Sequence, residues 1–327
     1  MALLQIVGWA CLGMMFRKWG WLRQEWEGKL LTVVIWFFYP CLIVKNVMVN
    51  QAVTGDAGTL ATVLGCGFCT VAVGHFIAAA VARKMPFGEV RQRNTFIFTV
   101  GIFNYGYFAF PVCRGLFGEE TFGVLLVYAV GVELAIWSVG ILFLAAGLGK
   151  FEPRKLLNPP LVSLCVALAL NWCGIANALP QGASGLLGMA GEISIPMGLL
   201  LIGAALYDHL GELDLRKHAG LVLAGVVLRN GVIPTAFVLA AMALPVIPEL
   251  KAALVVEAAM PCGIFPMLIA RHYGGSATTA IQLIMGTTLV SLLTLPLWVL
   301  LGIKLAGMEP WLAGANCNPQ IDIIHWP

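Results

Sequence analysis

The residues of this sequence that could do chemistry are few, and most stand inside long apolar stretches. Glu133 lies in the run from Thr121 to Leu148, Arg229 and Asn230 lie in the run from Ala219 to Leu244, and Glu192 and Glu257 sit a turn or two inside two further runs. A charge at bilayer depth costs about 2.5 to 3.5 kcal/mol, so each of these needs a partner, water or a bound proton. A carboxyl in such a place is suited to taking up and releasing a proton, and Glu133 is on this ground a candidate for proton coupling. For Arg229 the competing reading is an internal ion pair with Glu257 or Glu192, and those two acids could equally lie at the membrane interface. Lys45 reads as a side chain snorkelling to the interface. His75 reads as a packed helix residue.

Other chemistry is missing from the sequence. It has no His/Asp pair, G-x-S-x-G elbow, P-loop or metal-spaced cluster, so an intramembrane enzyme is not expected, nor a metal or other cofactor. Cys66 and Cys69 have C-x-x-C spacing but no charged or histidine neighbours, and they read as packing residues. The nine cysteines do not report a redox compartment.

The elements that position these residues must sit in lipid. The 327 residues are 60% hydrophobic and 11% charged, and no soluble core of that size could hide so much apolar surface. A hydrocarbon core of about 30 Å is crossed by about 20 helical residues. Ten spans are expected: Ala2 to Phe16, Leu30 to Asn50, Ala57 to Ala82, Thr95 to Leu116, Thr121 to Leu148, Pro159 to Ile175, Ala183 to Leu206, Ala219 to Leu244, Leu250 to Ala270 and Thr278 to Ala306. The first reads as a retained span, because the Arg17, Lys18 cluster follows the apolar run where a signal peptide has its charges before it.

Basic residues sort by loop. Arg17, Lys18, Arg23 and Lys29 follow the first span, Arg83, Lys84, Arg91 and Arg93 the third, Lys150, Arg154 and Lys155 the fifth, Arg216 and Lys217 the seventh, and Arg271 the ninth. The even-numbered loops carry only Arg114 and Lys251. By the positive-inside rule the odd loops are cytoplasmic and both termini extracytoplasmic, in a plasma (inner) membrane. The net charge of +3 is spread over alternate loops and makes no nucleic-acid patch.

Two landmarks recur at nearly one offset. Pro40 in Phe38-Tyr39-Pro40-Cys41-Leu42 returns as Pro196 in Ser194-Ile195-Pro196-Met197-Gly198, and Pro111 returns as Pro266, offsets of 156 and 155 residues. Phe117-Gly118 and Tyr273-Gly274 follow the second pair. A five-span repeat is implied, and because five is odd the second copy enters the membrane from the opposite side. The expected division is 1–149 for the first repeat, 150–158 for a cytoplasmic linker, 159–306 for the second repeat and 307–327 for a tail with little structure. The fourth and ninth spans contain Gly101-Ile102-Phe103-Asn104-Tyr105-Gly106 before Pro111, and Met260-Pro261-Cys262-Gly263-Ile264-Phe265-Pro266. Proline removes a donor and glycine loosens the backbone, so both helices are expected to break. Irregular backbone at that depth is tolerated only in protein or beside a wet cavity, which points to a binding site where the two breaks cross.

At these residues the sequence resembles the auxin efflux carrier family, which includes plant PIN-type carriers and bacterial organic-acid permeases. The resemblance covers Met1 to about Ala306 and rests on Asn104 seven residues before Pro111, on Arg154-Lys155-Leu156-Leu157-Asn158-Pro159, and on Ala259-Met260-Pro261-Cys262-Gly263-Ile264-Phe265-Pro266 followed by Ala270-Arg271-His272-Tyr273. It implies an all-α membrane protein of two inverted five-helix repeats with broken, crossing fourth and ninth helices, moving organic anions by an elevator-type motion. Pro111 and Pro261 would mark the crossover, and Asn104 and Asn158 would lie near the substrate carboxylate, beside Tyr105, Gly106, Cys262 and Gly263. Asn158 before Pro159-Pro160 also has a plain explanation as a helix N-cap. The chain departs from the family at Ala109 and, against plant-type members, at Cys262, at Glu133 and in lacking a long central loop, so auxin itself is not the expected substrate. The expectation is a secondary transporter of a small carboxylate with H+ as coupling ion. The alternatives are a sodium-coupled symporter of the bile-acid type, a passive channel and a non-transporting receptor. The expected partners are the small organic acid, the bilayer and, in a homodimer, a second copy.

Overall fold

A computed structural model describes residues 2–48, 50, 55–146, 159–175, 180–209 and 219–308. These residues form helices α1 (Ala2–Lys18), α2 (Gln24–Met48), α3 (Ala57–Ala82), α4 (Val90–Gly101), α5 (Ala109–Ala145), α6 (Pro159–Trp172), α7 (Gln181–His209), α8 (Ala219–Ala243), α9 (Pro248–Ala258), α10 (Phe265–His272) and α11 (Ala277–Leu305). No strand occurs among them, and extended pairing is limited to one antiparallel bridge between Phe103 and Cys262. Six of the described helices are long and apolar enough to cross a membrane: α2, α3, α5, α7, α8 and α11. The protein is an all-α integral membrane protein. The other expected spans fall on the 17-residue α1, the 14-residue α6 and the interrupted pairs α4/α5 and α9/α10. Asn158, the linker at 150–158 and nearly all of the tail lie outside the described residues.

Local chemistry accounts for several helix irregularities. Pro40 and Pro234 each follow a π-helical turn, Val34–Phe38 in α2 and Leu228–Val232 in α8. A proline cannot donate to the carbonyl four residues back and its ring crowds that turn, so the helix widens there. Asp56 caps α3, its carboxylate accepting from the Thr59 N–H at 2.7 Å and the Thr59 hydroxyl at 2.8 Å, and these bonds hold its carboxyl below the usual range. Gly118 and Gly274 take φ of 82° and 74°, a region that costs glycine nothing. Gly118 thereby kinks α5 after its first turns, and Gly274 follows the end of α10.

The helices pack as two groups. α1 lies along α7, and α2 packs against α6 and α7; α3, α4 and α5 pack together with α9, which joins them to α8 and α11. With lipid outside, close backbone approach supplies much of the attraction between such helices. A Cβ built on Gly131 would stand 2.1 Å from the Leu64 carbonyl oxygen, and one on Gly67 2.1 Å from that of Tyr128, so α3 and α5 touch through glycine from both sides. Gly13 and Gly203 do the same between α1 and α7. Gly131→Val is expected to force α3 and α5 apart and cost about 1 to 3 kcal/mol, the range for overpacking. A lowered melting temperature in detergent checks it.

Candidate functional site

The site is built where two helices stop. α4 ends at Gly101 and α5 starts at Ala109, while α9 ends at Ala258 and α10 starts at Phe265. Pro111 and Pro266 stand in the first turns of the second pieces, where the missing amide is not needed. The freed backbone groups of one break meet those of the other. The Asn104 N–H donates to the Pro261 carbonyl at 2.8 Å, and the Gly263 N–H donates to the Ile102 carbonyl at 2.9 Å. Behind them, the Cys262 N–H donates to the Thr287 hydroxyl at 3.2 Å. Each break therefore satisfies donors that lipid would leave bare.

In front of the breaks is a cavity of about 610 Å³, walled by Asn104, Tyr105, Gly106 and Gly263 from the breaks, Glu133 and Trp137 from α5, and apolar positions of α2, α7 and α10. The lining is strongly aromatic, with Trp36, Tyr39, Phe103, Tyr107, Phe110 and Tyr273. It includes no Lys, Arg or His among the described residues. The Glu133 carboxylate is held on both oxygens: the Tyr105 hydroxyl donates to Oε1, and the Trp137 Nε1–H donates to Oε2 at 3.0 Å. The other carboxylate of the lining, Glu27, is ion-paired to Arg17 at the start of α2, away from the breaks. Glu133 thus lies beside whatever fills the cavity.

The remaining sequence candidates divide. Pro111, Pro261 and Cys262 are not in the lining; Cys262 is fully buried behind it. Arg229 is fully buried, and its guanidinium serves the end of α9: Nε donates to the Met260 carbonyl at 2.9 Å and Nη2 to the Glu257 carbonyl at 3.1 Å, while the group lies 5.1 Å from the Phe103 ring and 5.5 Å from that of Phe237. A cation at the negative end of a helix is well placed. The Glu257 carboxylate is also fully buried, and neither of its oxygens has a hydrogen-bond partner among the described residues. The guanidinium goes to the backbone at the end of a stopped helix rather than to that carboxylate or to Glu192. Glu192 instead accepts from Arg114 at 2.6 Å. Asn230 ties α8 to α11, its Nδ2 donating to the Thr287 carbonyl and the Thr294 hydroxyl at 3.2 Å each. His75 is buried and packed, its Nδ1 2.8 Å from the Val71 carbonyl and its ring stacked on Phe143.

Sequence reasoning missed the aromatic wall and the Arg114 contact. Trp137 alone left a signal, since it stands one helical turn after Glu133 and so shares its face.

Comparison with known proteins identifies the family. A family model described as membrane transport protein matches residues 1–155 and 145–299. An uncharacterized transporter of Methanothermobacter thermautotrophicus is 25% identical over 295 residues, which cover 88% of this chain and 93% of that protein. The chain belongs to the auxin efflux carrier family of membrane transport proteins and is a transporter, not an enzyme.

Proposed function

We propose that this protein carries a small organic anion of the carboxylate class across the plasma (inner) membrane by alternating access of elevator type, with H+ as coupling ion. The observation that carries the proposal is the pairing of two helix breaks at the wall of a cavity that also holds Glu133. Cavities of several hundred Å³ suit small-molecule ligands. Asn104 and the start of the second half-helix after each break offer polar groups and positive dipole ends for a carboxylate. Two groups of helices that pack mainly within themselves are the parts an elevator needs.

Ten spans in two inverted repeats, 1–149 and 159–306 about a cytoplasmic linker at 150–158, give this arrangement its symmetry. In favour are the antiparallel contact between the breaks and the positive φ shared by Gly118 and Gly274. Both termini then face outside. Asn158, Pro111, Pro261 and Cys262 complete the site in this reading, the last three by shaping the breaks from behind.

The test is uptake of labelled monocarboxylates and dicarboxylates into proteoliposomes, with and without proton and sodium gradients. Saturable uptake and counterflow that respond to a proton gradient are expected. Response to sodium alone would replace the coupling ion, and binding without counterflow would make the protein a receptor.

A further inference from the structure

The cavity lies on one side of the breaks only. Its walls use the first half of α2, from Glu27 to Tyr39, the second half of α7, from Gly198 to Ala205, the part of α5 from Glu133 to Trp137, and α10 from Met267 on together with Tyr273 just after it. Those ends adjoin the odd-numbered, basic loops. The opposite ends of the same helices contribute only Phe110 to the lining.

On that opposite side the two helix groups are in contact. Asn50, just after α2, donates its Nδ2–H to the Glu120 carbonyl at 2.8 Å. Arg114, in the first turns of α5, donates from Nη1 to the Glu192 carboxylate of α7 at 2.6 Å. Its guanidinium is already aimed by its own group of helices, through an ion pair to Glu119 and a position 5.0 Å over the Phe122 ring. Glu192 is therefore reached across the seam by a cation that is fixed beforehand.

We propose that the Arg114–Glu192 ion pair is a latch across the two helix bundles, closed while the cavity is reached from the basic-loop side and broken when the bundles part on the opposite side. This rests on the carrier reading. The pair can form in one state only, so it adds its stability to that state alone and sets the population ratio of the two. Both side chains are partly exposed, at 24% and 43%, so the bias is modest, on the order of two- to five-fold.

Paired spin labels at Leu116→Cys on α5 and Leu186→Cys on α7, both exposed positions, read the separation on the latch side by pulsed electron resonance in nanodiscs. The native cysteines other than the buried Cys113 and Cys262 are replaced, and each protein must be monodisperse. The full chain is expected to give a short and a long distance. Arg114→Gln or Glu192→Gln should raise the long-to-short ratio two- to five-fold, and the exchanged pair Arg114→Glu with Glu192→Arg should restore it. Two populations whose ratio is the same in the single variants overturn the latch and leave the carrier standing. So does a shift that the exchanged pair fails to reverse, because charge pairing is then not its cause. One unchanging distance in every variant, with acetate, benzoate or malate at pH 5 and pH 8, overturns the latch and the alternating motion together.

Discussion

Replacing Glu133 by glutamine is expected to abolish proton-driven accumulation of substrate while leaving saturable counterflow. The wild-type cavity places a carboxylate beside the breaks and offers no cationic side chain among its described lining residues. Two anions about 5 Å apart repel by about 3 kcal/mol at an effective dielectric constant of about 20, so an incoming carboxylate favours the protonated form of Glu133. Binding and protonation are then linked. As pH rises and Glu133 loses its proton, affinity for the anion falls; as pH falls, it recovers. Glutamine keeps the shape and still accepts from Tyr105 or Trp137, but it is neutral at every pH. The variant should show a KM that no longer depends on pH, and at least about a tenfold smaller response to an imposed proton gradient, since about 1.4 kcal/mol of lost linkage suffices for that. Uptake with an unaltered pH profile would remove Glu133 from the coupling step.

Arg229→Leu is expected to be the most damaging single change to the fold and the site together. The guanidinium caps the carbonyls of Glu257 and Met260 where α9 stops, and it lies against Phe103 of the opposite break. A hydrogen bond from a charged donor contributes about 1.5 to 3 kcal/mol, and a buried carbonyl left bare adds to the loss. A total of about 3 kcal/mol or more, with loss of saturable uptake, is the expected result. Lysine should rescue little, because a single ammonium cannot match a planar fork that reaches two carbonyls. Glu257→Gln is the control. Its carboxylate accepts no hydrogen bond from Arg229, so this change should cost less than about 1 kcal/mol. Equal damage from the two variants in thermal unfolding would restore the ion-pair reading.

Much that is local was legible beforehand. Proline and glycine act through their own amide and Cβ, so the interruptions after Gly101 and Ala258, and the turns at Gly118 and Gly274, follow from residue type and position alone. Glu133 stood out because an acid in an apolar run is costly wherever the run packs. The apolar stretches also made the protein helical and membrane-embedded, because lipid accepts no unpaired backbone.

What depended on packing was not legible. Arg229 had two acids as candidate partners and the structure gave it carbonyls, since only the folded chain brings the open end of α9 against α8. Arg114 finds Glu192 78 residues along the chain, and no periodicity links them. The aromatic wall draws on α2, α5, the first break and the residue after α10, and no single period along the chain links its rings. Sequence by itself determined the solvent, the helices and where two of them must fail, because those are costs paid residue by residue. The tertiary structure alone decided which charges meet, where the cavity lies and which side of it is shut, because those are set by the relative placement of helices whose apolar faces would tolerate many partners.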